Sequence, residues 1–408
     1  MKVLHVIPSI SERSGGPGQA IIPMCRALRD KGVDVLLATT NEGVTGKEEG
    51  AKGKGHGKEV PTIFFPAQLG RSLKYSRPFT KWLNENVSEF DVVHIHAVFN
   101  HACMAAARAC RNKGVPYIVR PLGTLDPWSM KQKSLRKKVS WHAGIRSMLT
   151  NAAAIQYTTR GEQQAVEESL SLNHGVVIPL GVEMKSIQES ATTMHMSAKF
   201  PALQDHPYVL VLSRLHPKKA LEVLLEAFLS LVKHADFQEW RLVLAGEGPE
   251  DYVMQLKQKV AEQLAEDFVV FPGWLKGEKK EAALRDASLL ALPSHHENFG
   301  LCVMESLACG VPVLISPHVN LAPEIKAASA GWIAEVNAAA IEQALAAALS
   351  SKDERLTRGR NGKQLALNYA WPNIANQLRQ VYSEIALHKK CDRGSTRSVL
   401  INTVASVR

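Results

Sequence analysis

The stretch SHHENFGLCVMESLACGVPVLIS, residues 294–316, divides into three parts. A polar entry loop ends at Gly300. An apolar run, LCVMESLA, follows with helical spacing. Gly310 marks its end, and Pro312 bars its return. VPVLIS is then a short, β-branched run of the kind found in a strand buried on both faces. Loop, helix and buried strand in this order predict one step of a parallel α/β sheet. Glu297 lies in the loop. Glu305 lies inside the helix, roughly a turn and a half from its start at about 3.6 residues per turn. A carboxylate between Met304 and Leu307 in an apolar helix needs a partner.

The same alternation runs outward from this stretch in both directions. Upstream come YVLVLSRL, LEVLLEAFLSLV, RLVLAGEGP, FVVFPGW, a helix over 279–286 and SLLALPS. The first half of the chain opens with KVLHVIPSI, the turn SGGPG (14–18), the helical QAIIPMCRALRDKG and the strand VDVLLATT. TIFFP, FDVVHIHA, a helix over 101–113, PYIVRP, AAAIQYTT and GVVIPLG continue it. The fold class is α/β: two Rossmann-like halves facing across a cleft, with ligands expected beyond the carboxyl ends of the strands. The expected boundaries are a first domain over 1–182, a linker over 183–206 and a second domain over 207–365. A helix over 366–388 crosses back to the first domain, and a polar tail spans 389–408. The Gly- and Lys-rich segment 42–59 reads as a mobile loop.

At 408 residues the chain has ample material for two cores. Its net charge of +10 suits anionic partners, whereas 6% aromatic residues argue against base stacking along a single strand. The six cysteines are dispersed without a CxxC spacing, which fits reduced thiols in a cytoplasmic compartment. The apolar run of MKVLHVIPSI is short and has no small-residue cleavage site after it, so it does not read as a signal peptide. No run approaches the roughly 18 apolar residues of a membrane span.

Taken together, the motifs resemble those of family 4 glycosyltransferases. The E-x7-E spacing is met by Glu297 and Glu305. SRLHPKKALEVLLEAF, LVLAGEGPEDY, VFPGWLKGEKK, LAPEIKAASAGW and YAWPNIANQLRQVY fall in register, as do SGGPGQAIIPMCRALRDKGVDVLLATT and RPLGTLDPW. The likeness covers about residues 1–388. It implies a GT-B fold and a retaining transfer of a hexose from a UDP- or GDP-sugar, with no metal and no cofactor. The acceptor it implies is a glycan or a lipid-linked glycan, in cell-surface polysaccharide or glycolipid synthesis at the inner face of a membrane. Nucleic acid is not an expected partner, since no recognised motif accompanies the basic charge. The alternative is a non-catalytic member of the same fold that retains nucleotide or glycan binding.

Several residues carry these expectations. Gly15 and Gly16 lack Cβ, so a phosphate can approach their backbone ahead of a helix start, although a tight turn also explains them. Arg214 and Lys219 follow a strand and can neutralise a diphosphate. Lys218 is the other register, and a solvated basic loop is the plain alternative. Gly246 belongs to the turn GEGP after the next strand and is assigned to the donor. The resemblance gives Glu305 the ribose and Glu297 the sugar. The backbone of Asn298, Phe299, Gly300 and Leu301 takes the oxygens between them. His94 and His96 share one strand face. Either could pair with His101 at a metal, but no carboxylate or cysteine completes such a set. His96, at the strand's carboxyl end, is assigned with Glu297 to the reacting centre. Leu122 stands where family members often carry a histidine near the sugar. Residues 130–149 read as a basic amphipathic helix. It suits either a membrane surface or packing on its own domain.

Overall fold

Short apolar runs become strands along the whole chain, and every pairing between them is parallel. In the computed structural model β1 (Lys2–Val6), β2 (Asp34–Thr40), β3 (Thr62–Phe65), β4 (Val92–His96), β5 (Tyr117–Arg120), β6 (Ala154–Tyr157) and β7 (Gly175–Val177) form one sheet, ordered β3-β2-β1-β4-β5-β6-β7. β8 (Tyr208–Leu212), β9 (Arg241–Ala245), β10 (Val269–Gly273), β11 (Leu289–Leu292), β12 (Val313–Ile315) and β13 (Gly331–Ile333) form a second, ordered β10-β9-β8-β11-β12-β13. Strands covered by helices on both faces must be apolar throughout, and β4, β5, β9, β11 and β12 are buried at every position. Each sheet reverses its winding once, between β1 and β4 in the first and between β8 and β11 in the second. The structure describes residues 1–11, 16–41, 60–68, 74–131, 134–184 and 194–391. Gly15, the segment 42–59, residues 185–193 and the tail beyond 391 lie outside them.

The first compact unit comprises Met1–Gly181 and the chain from Trp371 onward; the second is Val182–Ala370. In the first, helix Trp371–Cys391 packs on helix Gly16–Asp30 and on β4. Local signals set the helix ends. Asn100 Oδ1 accepts from Cys103 N at 3.0 Å to start helix His101–Lys113, and Gly114 ends it at φ 62°. Thr159 caps helix Arg160–Leu170 in the same way, its hydroxyl accepting from Glu162 N at 3.1 Å.

Two expectations change here. The described part of 183–206 is not a free linker. It forms the 3-10 turns Met196–Ala198 and Pro201–Leu203 and buries Met196 and Leu203, and Met196 N donates to Asp286 Oδ2 at 3.0 Å. The basic segment 130–149 is not one amphipathic helix. Helix Ser134–Ser140 passes into a π turn, Trp141–Ile145, where Gly144 at φ 154° breaks the helical path before helix Arg146–Thr150. Ile145, Met148 and Leu149 are core residues of the first unit, while Val139 is 63% exposed.

Candidate active site

In the second unit the loops after β8, β9, β11 and β12 leave the same edge of the sheet, around its winding reversal. Loop 213–215 runs beside loop 245–247: Ser213 N donates to Ala245 O at 3.1 Å and Leu215 N to Glu247 O at 2.9 Å. Gly246 permits this approach. At φ 155° its missing Cβ would lie 1.8 Å from Ser213 O. Its visible role is therefore packing, which keeps the loop carrying Arg214 against the strand end. Arg214 is exposed, and its guanidinium has no carboxylate partner among the described residues. The neighbouring His216 is held below its ordinary pKa by partial burial and by Arg214, Lys218 and Lys219. Its Nδ1 accepts from Lys218 N at 3.1 Å, as a neutral ring does.

The loop carrying Glu297 is held on both sides. His295 N donates to Lys218 O at 2.9 Å, and Glu297 N donates to His318 O at 3.0 Å. Asn320 N returns a bond to Glu297 O at 3.0 Å, and Asn320 Nδ2 reaches Asn298 Oδ1 at 3.4 Å. Phe299 is buried and tilted against Tyr369, with ring centroids 6.0 Å apart, so its ring serves as an anchor. Gly300 turns the chain at φ 73° into helix Leu301–Ala308, whose start no side chain caps. Beneath it, helix Lys352–Leu367 approaches so closely that a Cβ on Gly359 would lie 2.0 Å from Gly310 O.

Both glutamates are paired. Lys219 Nζ donates to Glu297 Oε2 in a contact that is 13% and 18% exposed at its two side chains. Burial alone would raise the Glu297 carboxyl. Lys219, Lys218 and His296 together outweigh it, and the carboxyl is held below its usual range. Glu305 Oε1 accepts from Lys280 Nζ at 2.7 Å, with side chains 21% and 24% exposed. Lys280 belongs to helix Glu278–Asp286 and was not singled out from the sequence. Cys302, in the first turn of helix Leu301–Ala308, lies in the field of all four charges, and burial pushes its thiol up to about 12.

In the first unit Gly16 opens helix Gly16–Asp30 beyond β1. His94 and His96 do share a face of β4, but their third partner is His5 on β1, not His101. His5 Nδ1 and His96 Nε2 are 3.0 Å apart, and His94 Nδ1 lies 2.6 Å from Tyr382 Oη. His101 instead starts helix His101–Lys113 and packs on Tyr75. The assignment of His96 to the reacting centre is not supported by this geometry: the ring is 1% exposed and its Nε2 faces His5. Ligand atoms of His5, His94 and His96 lie within 4.8 Å of one another, a spacing that could close on a metal ion. Arg120, 3% exposed beside them, argues against a cation there, and its Nε and Nη2 have no hydrogen-bond partner among the described residues. Burial first holds all three rings neutral, helped by Arg120 at His5 and by the neighbouring rings and then Arg120 at His94 and His96. Leu122 follows Arg120 at φ 59°, a conformation unusual for a leucine.

Comparison with known proteins agrees with this architecture. Residues 15–181 match the glycosyl transferase 4-like domain, and residues 195–365 match glycosyl transferases group 1. A phosphatidyl-myo-inositol mannosyltransferase of Mycobacterium leprae is 24% identical over 390 residues, 95% of this chain and 97% of that protein. A D-inositol 3-phosphate glycosyltransferase of Corynebacterium efficiens is 28% identical over 192 residues, which is 46% of this chain and 45% of the relative. The structure of Anabaena HepE in complex with UDP and glucose superimposes with a TM-score of 0.73 at 18% identity, covering 94% of this chain and all of that one. With one family domain matched in each unit, the chain belongs to the family 4 glycosyltransferases and has the GT-B fold.

Proposed function

We propose that this glycosyltransferase moves a hexose, with retention of configuration, from a UDP- or GDP-sugar to a hydroxyl of a glycan or lipid-linked acceptor. The observation carrying this reading is the pairing of charges at the β8–β11 edge. Among the described residues Arg214 is a cation without a carboxylate, and Lys219 and Lys280 neutralise Glu297 and Glu305. A diphosphate meets Arg214 and Lys219 there, its sugar meets Glu297, and its ribose meets Glu305. The N–H groups opening helix Leu301–Ala308 take phosphate or sugar oxygens.

As the bond between the anomeric carbon and the diphosphate oxygen breaks, negative charge grows on the leaving phosphate. Arg214 and Lys219 are placed to stabilise that charge, and fixed cations count most for charge that develops in the transition state. These side-chain cations supply the countercharge, so the reading requires no metal ion. The acceptor oxygen forms its bond on the face the phosphate leaves, and the acceptor proton passes to the departing phosphate oxygen. Glu297, held ionised by Lys219, stabilises the positive sugar ring and forms no covalent bond. His96 takes no part in proton transfer.

The names of the mycobacterial and corynebacterial relatives favour an inositol- or lipid-type acceptor. No described helix is long and apolar enough to cross a membrane. We place the protein in the cytoplasm, at the inner face of the membrane. Helix Ser134–Ser140, with Lys138 and exposed Val139, is the contact surface.

A panel of UDP- and GDP-hexoses screened for hydrolysis, with Arg214→Ala and Glu305→Ala beside the parent, tests the reading. The parent should turn over one donor, Glu305→Ala should raise its KM, and Arg214→Ala should lower kcat as well. Binding of a nucleotide without turnover of any donor would favour the non-catalytic alternative.

A further inference from the structure

Glu305 and Lys280 come from different helices. Lys280 Nζ donates to Glu305 Oε1 at 2.7 Å, and both side chains keep about a fifth of their surface open. Among the described residues Glu305 Oε2 has no side-chain partner. An ionised carboxylate offers acceptor sites on both oxygens. Held by one oxygen, it presents the other in a fixed direction. An unpaired carboxylate on a flexible glutamate side chain would have to be ordered by the ligand itself, at a cost in affinity.

We propose that Lys280 is the positioning residue for nucleotide recognition: it fixes the Glu305 carboxylate so that Oε2 faces the ribose hydroxyls. This rests on the reading of Glu305 given above. Lys280 does not touch the ribose. It acts through Glu305 and leaves the diphosphate contacts of Arg214 and Lys219 unchanged. Its removal therefore affects selection of ribose over deoxyribose more than it affects binding of the phosphates. Arginine, which also pairs with a carboxylate, should retain most of the effect.

Calorimetric titration of the full chain with UDP, GDP and their 2′-deoxy and 3′-deoxy forms tests this. The parent should prefer the ribonucleotide over at least one deoxy form by roughly tenfold or more, the scale of a hydrogen bond to a charged group. Glu305→Gln should weaken that preference. Lys280→Met should cut it to within roughly threefold while Kd for the deoxy form stays constant, and Lys280→Arg should restore it. A parent that binds none of these nucleotides overturns the donor-site reading, and the role of Lys280 with it. If the parent discriminates and Glu305→Gln does not, an unchanged preference in Lys280→Met overturns the positioning role alone. Equal weakening of ribo and deoxy forms in Lys280→Met, with a lower Tm, also overturns it and assigns the lysine to stability.

Discussion

Acidification should loosen the first unit before the second, because His5, His94 and His96 are buried there as neutral rings. Burial and the Arg120 guanidinium lower the pKa of His5 to about 3 and hold the other two well below their ordinary value. In the unfolded chain each titrates near 6.5. As pH falls below that value the unfolded chain takes up protons and the folded chain does not, so stability is full above 6.5 and is lost toward acid. From pH 7.5 to 5.5 one such ring loses about 1.4 kcal/mol, and three lose about 4 kcal/mol. Against a typical domain stability of roughly 5–15 kcal/mol this is a large fraction. Tyr382 bonds to His94, Glu162 acts on Arg120 and Cys25 on Tyr382, and burial moves the tyrosine and the cysteine away from titration in this range. Hydrogen exchange read on peptides from β1, β4 and helix Trp371–Cys391, corrected for intrinsic rates, reports the local opening energy. Peptides from helix Leu301–Ala308 serve as the internal control. In His5→Gln the pH dependence should shrink by about a third, whatever the change in stability at pH 7.5. Opening energies that stay flat between pH 7.5 and 5.5, or a His5→Gln slope equal to the parent's, would refute the account.

Three further outcomes follow from single positions. Arg214→Ala should lower kcat by roughly 100-fold or more, the usual loss of one oriented donor at developing charge, in a steady-state assay with the donor found by screening. Gly359→Ala should cost roughly 1–3 kcal/mol in urea unfolding of the second unit and, on the proposed reading, weaken nucleotide binding, because its Cβ would meet Gly310 O under helix Leu301–Ala308. Leu122→His places a residue more tolerant of positive φ at 59°; thermal melting should show no loss of stability, and a donor panel should show altered sugar preference.

The parallel sheets could be read because each strand is a continuous apolar run and each helix end carries a local signal. Gly310 and Pro312 bound helix Leu301–Ala308 as expected. The need of Glu305 for a partner was also legible, but the partner's identity was not. Lys280 lies 25 residues earlier on another helix, and only the packing of the two helices chooses it among the lysines of LKGEKK. The third histidine was missed for a related reason. Sequence proximity joins His101 to His94 and His96, whereas the parallel register sets His5 opposite His94 across 91 residues between His5 and His96. The basic segment misled because its apolar positions fit one helical stripe, a pattern that cannot register the break at Gly144.

The two winding reversals thus have the same topology and opposite electrostatics. At β1–β4 the titratable rings are stripped of charge by burial, hydrogen-bonded to one another and to Tyr382, and shut from solvent. A ligand entering there would have to break bonds that nothing replaces, and the loss for each buried polar group left unpaired is roughly 1–3 kcal/mol. At β8–β11 the charges are kept. Each carboxylate is in contact with a lysine, each pair retains solvent access, and Arg214 has no carboxylate partner among the described residues. An anionic ligand can exchange its water for Arg214 and share Lys219 without stranding Glu297, because hydrogen bonds to charged groups contribute roughly 1.5–3 kcal/mol each. That difference in what binding would strand, more than the residue types alone, is why we propose the second unit's edge as the donor site and assign the histidine cluster to holding the C-terminal helix.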